Sequence, residues 1–157
     1  MTFYKQPVSV LVVIYTAPST GSGQAQDIKV LLLERADHPG YWQSVPGSSE
    51  GGEALRDTAS REVREETGLD ARQFKLTDWQ IQNFYEIYPH WRYRYPPDGT
   101  HNTEHVFGLQ LPHSVAVQLD SREHLSFQCL AWQDAAEKVF SPSNRAAILQ
   151  LAERGCC

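Results

Sequence analysis

The sequence predicts an α/β fold, a mixed β-sheet with α-helices packed against it, and three features of the chain carry that prediction. Pro7 to Tyr15 is apolar and β-branched almost throughout, the pattern of a strand buried on both faces. Glu53 to Thr67 places apolar residues at helical spacing between charges, which predicts an amphipathic helix. Further short apolar runs follow, and after them two helical stretches. Strands and helices mixed in this order predict a layered sandwich.

Taken in chain order, Ala17 to Gly23 is a loop by composition. Ile28 to Leu33 is a second apolar run, expected to pair with the first in a long hairpin. Asp37-His38-Pro39-Gly40 ends that strand, and Tyr41 to Pro46 leads into Gly47. Within the helix of residues 53–67, Leu55, Ala59 and Val63 share one stripe, and Gly68 stands where a C-terminal cap belongs. Phe74 to Tyr88 contains strand-like material. Pro89 to Asn102 is polar, aromatic and basic, and is expected as an excursion over a site. Val106 to Leu111 and Leu125 to Trp132 read as strands. Asp134 to Phe140 and Ser143 to Arg154 read as helices, with Ser143 the expected N-cap.

A chain of 157 residues with 41% hydrophobic content suits one domain with a sizeable core, and no repeat or long linker divides it. No apolar run approaches the ~18 residues that a membrane span needs, and Met1 to Pro7 lacks the features of a secretory signal. Three cysteines argue against a disulfide scaffold. Cys156 and Cys157 are terminal neighbours, and Cys129, inside an apolar stretch, is expected as a small core residue. These features predict a cytoplasmic protein without a membrane partner, and none calls for an obligate protein partner. A net charge of -5 disfavours nucleic acid as a partner.

The chemistry is concentrated in the helix. Glu62 and Glu66 stand at i,i+4 and Glu62 and Glu65 at i,i+3, so three carboxylates share an arc of ~100°. Like charges at this spacing cost about 0.2–0.5 kcal/mol per pair, and the helix dipole disfavours anions near a C-terminus. A hard divalent cation reverses both penalties, because Mg²⁺ takes oxygen ligands from carboxylates and substrate phosphates. Arg61 lies four residues before Glu65 and is placed to orient it. Gly51-Gly52 frees the backbone to approach a phosphate or turn sharply. Glutamate-rich helix faces are most often simply solvated; the glycines and the arginine at these spacings weigh against that here.

Gly47 through Leu69 resembles the box of the Nudix family, G-x5-E-x7-R-E-U-x-E-E-x-G-U with U apolar. Gly47, Glu53, Arg61, Glu62, Glu65, Glu66 and Gly68 fill the fixed positions, and Val63 and Leu69 the apolar ones. The resemblance implies the Nudix fold, a mixed β-sheet sandwiched between α-helices. It implies hydrolysis of a phosphoanhydride bond with Mg²⁺, Mn²⁺ being able to substitute. Glu62, Glu65 and Glu66 would bind metal, Arg61 would orient them, and Glu53 would support the loop and help at the metal site. An acidic enzyme for a polyphosphate is then consistent, since bound cations reverse the local sign.

The flanks are similar to a bacterial group within that family, the dihydroneopterin triphosphate pyrophosphatases of folate biosynthesis. The similarity runs through residues 4–15, Tyr41 to Val45, His90 to Tyr95, Asn102 to Glu104, Glu123 to Leu125 and Ser143 to Arg145. The Ala17–Asp27 loop is longer than expected for the group. A pterin triphosphate calls for a flat, partly polar surface and for cations. Trp42 and Gln43 are candidates for the first, although Trp42 fits a core position equally well. Lys5, Arg35, Arg92 and Arg94 are candidates for the second. Glu123 is the first choice for a further metal ligand from outside the box, and Glu104 the second. His124 fits a structural hydrogen bond better than a proton shuttle. No Ser-His-Asp arrangement is evident and Cys129 has no basic neighbour, which disfavours covalent catalysis. Two rivals remain: a nucleoside triphosphate pyrophosphohydrolase for nucleotide housecleaning, and a non-catalytic nucleotide-binding module, against which the complete box argues.

Overall fold

Strand β1 (Val8–Thr16) runs through the middle of a seven-stranded mixed sheet, the position that two apolar faces require. It pairs antiparallel with β2 (Lys29–Arg35) and β4 (Val45–Ser48), and parallel with β6 (His101–Leu111). β3 (Trp42–Gln43) and β7 (His124–Ala131) pair with β2, and β5 (Lys75–Glu86) pairs with β6. The computed structural model describes residues 4–16, 28–113 and 115–154. The loop expected from Ala17 and the terminal Cys156 and Cys157 lie outside the described residues.

The alternation of side chains along β1 divides the core in two. Val10, Val12 and Ile14 face Ala59 and Val63 of α1 (Leu55–Thr67). Leu11 and Val13 face Ala135 of α2 (Trp132–Lys138), Ile148 of α3 (Pro142–Leu149) and Leu151 of α4 (Leu151–Arg154). Helices therefore cover both faces of the sheet, and each fully buried Val, Leu or Ile contributes about 1.5–3 kcal/mol. No described helix is long and apolar enough to cross a membrane.

Helix α1 begins at Leu55, after Glu53, because the Glu53 carboxylate ties the preceding loop instead. It ends at Gly68, whose φ of 77° places it in the left-handed region and whose N–H donates to the Arg64 carbonyl.

Four expectations are corrected. The β1–β2 hairpin is short, with two paired positions, since β4 takes the edge of β1 at residues 9–12. The final helix is two helices, separated at Gln150. Its cap is Ser141, whose hydroxyl accepts from the Asn144 N–H, leaving Ser143 inside the first turn. Cys129 is exposed, as are Phe127 and Gln128 beside it, because among the described residues β7 pairs with β2 alone.

Candidate active site

Arg61 organises the loop that leads into α1. Its Nε donates to Glu53 Oε2 at 2.9 Å, and its Nη2 to Glu53 Oε1 at 3.0 Å and to the Ser48 carbonyl at 2.9 Å. Thr58 Oγ1 adds a donor to Glu53 Oε1 at 2.7 Å. These bonds, the Arg61 guanidinium first, hold the Glu53 carboxyl down at about 2. Arg61 Nη1 reaches Glu62 Oε1 at 2.8 Å, but Glu65 Oε2 only at 3.4 Å. The arginine thus links Glu53 to Glu62 more tightly than it orients Glu65. Glu53 does not line the cavity described below, so its place is that of a loop support.

Glu62 folds back onto the backbone of Gly47, where a Cβ would stand 2.0 Å from its Cγ. The side chain is therefore buried, and burial pushes its carboxyl up to about 7 against the opposing charge of Arg61. Glu66 is buried as well, whereas Glu65 stays half-exposed.

Behind Glu66 lies a chain of polar contacts from three elements. Arg35 Nη1 donates to Gln43 Oε1 at 3.1 Å, Gln43 Nε2 lies 3.0 Å from His124 Nε2, and His124 Nδ1 lies 2.5 Å from Glu66 Oε2. Arginine is only a donor, so it fixes the orientation of the Gln43 amide. The amide N–H then faces His124 Nε2, which must accept, and the ring proton is left on Nδ1 toward Glu66. His124 and Glu66 are both buried, and neither Nδ1 nor Oε2 has a hydrogen-bond partner elsewhere.

Positive charge faces these carboxylates. Lys5, Arg35 and Arg94 line the same cavity as Glu62, Glu65, Glu66 and Glu123. Burial and then Arg94 hold the Lys5 ammonium below its usual range, with Glu62 and Glu123 acting in the opposite direction. Asp37 ties the two arginines: it accepts from Arg35 Nε and Nη2, both at 2.7 Å, from Arg94 Nη2 at 2.9 Å and from Trp91 Nε1 at 3.1 Å. Asp37 was not legible as a site residue, because a turn Asp beside a Pro-Gly pair has an ordinary local explanation.

The cavity measures about 720 Å³. Its other end is walled by Tyr88 and Phe140 and floored by Asn83, Tyr85, Asn102, Glu104 and Ser143. Of the residues expected to bind substrate, Lys5, Arg35, Gln43 and Arg94 line it, and Trp42 and Arg92 do not. Trp42 packs against the core on the α2–α3 side of the sheet, with Lys138 Nζ 4.7 Å from its ring centroid. The aromatic residues that enter from the excursion are Trp91 and Tyr95, and the Arg35 guanidinium lies over the Trp91 ring at 4.3 Å.

Among the described residues no three His, Cys, Asp or Glu side chains form a ready ligand cage. Mg²⁺ does not need one, because it is held by one or two carboxylates with water and phosphate oxygens completing the shell. Glu66 Oε2 is buried with only His124 Nδ1 beside it, and Glu62 bears the cost of burial. Both gain from a nearby cation, and an all-oxygen donor set suits a hard one.

Residues 5–151 match the NUDIX domain. The chain is 47% identical over 150 residues to the dihydroneopterin triphosphate diphosphatase of Escherichia coli (strain K12), covering 94% of this chain and 93% of that protein. It is 39% identical over 150 residues to the protein of the same name from Haemophilus influenzae, covering 94% and 89%. Among solved structures, it matches the E. coli dihydroneopterin triphosphate pyrophosphohydrolase with a TM-score of 0.84 and 44% identity, covering 98% of this chain and 99% of that one.

Proposed function

The chain belongs to the Nudix hydrolase family, and we propose that it hydrolyses dihydroneopterin triphosphate to dihydroneopterin monophosphate and pyrophosphate, a step of folate biosynthesis. One cavity carries this proposal. It holds the acidic helix, three cations and a buried polar floor together, and its about 720 Å³ is the size of site that a heterocycle with a charged tail requires. The high identity to two proteins named for this reaction, over nearly the whole chain, supports the same substrate. A cytoplasmic setting goes with it.

Glu62, Glu65, Glu66 and Glu123 would hold the divalent cations, Mg²⁺ or in its place Mn²⁺. When bound, such ions neutralise phosphate charge and lower the pKa of attacking water. The remaining work belongs to the chain. Lys5, Arg35 and Arg94 bind phosphate oxygens, with Asp37 fixing both guanidinium planes. Arg61, anchored by Glu53, holds the Glu62 carboxylate, and His124 faces Glu66 from the opposite side. A carboxylate of this cluster takes the proton from water as the bond between phosphates breaks.

The test is pyrophosphate release from dihydroneopterin triphosphate beside a panel of dNTPs, with Mg²⁺ and with EDTA. Higher kcat/KM for the pterin, abolished by EDTA, is the expected result. Faster turnover of a dNTP would leave the hydrolase standing and remove the pterin as its substrate.

A further inference from the structure

Three glutamates are buried among the described residues. Glu62 and Glu66 belong to the acidic helix, but Glu104 lies on β6 and lines the other end of the cavity. It stands in register with Ser9 of β1 and Asn83 of β5. Asn83 Nδ2 donates to its Oε1 at 3.3 Å, and the Ser143 hydroxyl donates from α3. No cation is among these partners, and burial raises the pKa of the carboxyl. A carboxylate so placed is costly unless a ligand brings donors to it.

Asn102 precedes it by two residues and so shares its face of β6. Its Nδ2 donates to Ser9 Oγ at 2.7 Å and to the Tyr85 hydroxyl at 3.0 Å, which fixes the amide with Oδ1 as the free end. That oxygen is buried and has no hydrogen-bond partner. The floor therefore offers acceptors: one carboxylate and one amide oxygen. Tyr88 and Phe140 supply apolar walls beside it.

We propose that Glu104, backed by Asn102 Oδ1, is a specificity-determining residue that reads the 2-amino group and adjacent ring N–H of a 2-amino-4-oxopyrimidine edge. The proposal rests on the substrate assigned above, since a dihydropterin presents this edge. Two neighbouring N–H donors match the two oxygens of a carboxylate in a bidentate pair. Adenine places a ring nitrogen acceptor beside its amino group, and a 2-oxo ring places a carbonyl there, so each sets an acceptor against an acceptor. On this account Glu104 binds the heterocycle and is not a metal ligand.

The matched probes are pterin and lumazine, which differ in carrying an amino or an oxo group at position 2; both are followed by their fluorescence on titration with the metal-free protein. The wild type is expected to bind pterin at least ~30-fold more tightly than lumazine, within the range for a buried polar group left unsatisfied. In Glu104→Gln that preference is expected to fall below ~3-fold, and selectivity for dihydroneopterin triphosphate over dTTP to fall ~30-fold. Equal binding of the two probes by the wild type overturns the proposal without any variant being needed. A folded Glu104→Gln protein that keeps the preference also overturns it. If the wild type prefers pterin to lumazine but turns over dGTP, whose guanine presents the same edge, faster than dihydroneopterin triphosphate, the substrate assignment falls and Glu104 keeps its role. If dihydroneopterin triphosphate is preferred while the probes bind alike, the role of Glu104 falls and the assignment stands.

Discussion

A Cβ on Gly47 would lie 2.0 Å from Cγ of Glu62 and 2.1 Å from its Cδ, so the glutamate occupies the volume that any side chain at position 47 would need. The two residues come from different elements, β4 and α1. Their contact seats the Glu62 carboxylate against backbone, out of water, and this burial is what raises its pKa to about 7. A cavity-facing carboxylate held in this way cannot rotate to another position without leaving its seat.

Gly47→Ala therefore tests the seat. The added methyl displaces Glu62, and the expected outcome is Mn²⁺ affinity reduced ~10–100-fold, the range seen when the support of a metal ligand is lost. Titration followed by electron paramagnetic resonance reads this directly. Unchanged affinity in a folded variant would remove Glu62 from the metal site.

Glu65 differs from its neighbours in being half-exposed and only loosely held by Arg61. Glu65→Gln keeps its shape and removes its charge. A fall in kcat of at least ~100-fold is expected with Mg²⁺ saturating, as for loss of a ligand or base. A loss no greater than ~3-fold would leave Glu65 without a part in the reaction.

The acidic helix was legible because helical periodicity alone brings Glu62, Glu65 and Glu66 to one face. The partners of those residues were less so. By i,i+4 spacing Arg61 is the companion of Glu65, yet its shortest bonds run to Glu53 and Glu62, and Glu53 reaches it across a loop that no periodic rule describes. His124 meets Glu66 only because β7 pairs with β2 at the end where Gln43 enters, a matter of sheet order. The partly buried position of Trp42 and the exposure of Cys129 follow from sheet order in the same way. A short apolar stretch does not say which of its faces the rest of the chain will cover.

His124 is placed to hold Glu66, and His124→Ala leaves the Glu66 Oε2 atom with nothing beside it. Mn²⁺ affinity is expected to fall ~10–100-fold, and stability by about 1–3 kcal/mol for a buried acceptor left unpaired. Calorimetric titration and thermal melts measure the two effects separately. A variant with native metal affinity would reduce His124 to a packing role.

Lys5 and Arg94 act on the substrate tail equally in the ground state and the transition state if their role is binding alone. Lys5→Ala and Arg94→Ala are then expected to raise KM ~10-fold with kcat changed less than ~3-fold. Steady-state kinetics on dihydroneopterin triphosphate separates the two parameters. A fall in kcat with KM constant would instead mean that the cation acts on charge developing in the transition state.

The Glu53–Arg61 pair predicts how stability depends on pH. The Glu53 carboxyl titrates near 2 in the folded chain against an ordinary value of 4.5, first because Arg61 hydrogen-bonds its charged form. The unfolded chain takes up that proton at the higher pH, so the pair's contribution is complete above 4.5 and is lost as pH falls toward 2. Glu53→Gln keeps the side chain's size and removes its charge. At pH 7 the variant is expected to be less stable by about 1–3 kcal/mol, the worth of hydrogen bonds to a charged group, or several degrees in Tm. The gap between wild type and variant should close as the melts are carried from pH 5 to the acid limit, where Glu53 too is neutral. A gap that stays constant over that range would show that shape and neutral hydrogen bonds hold the loop, and that the charge on Glu53 does not.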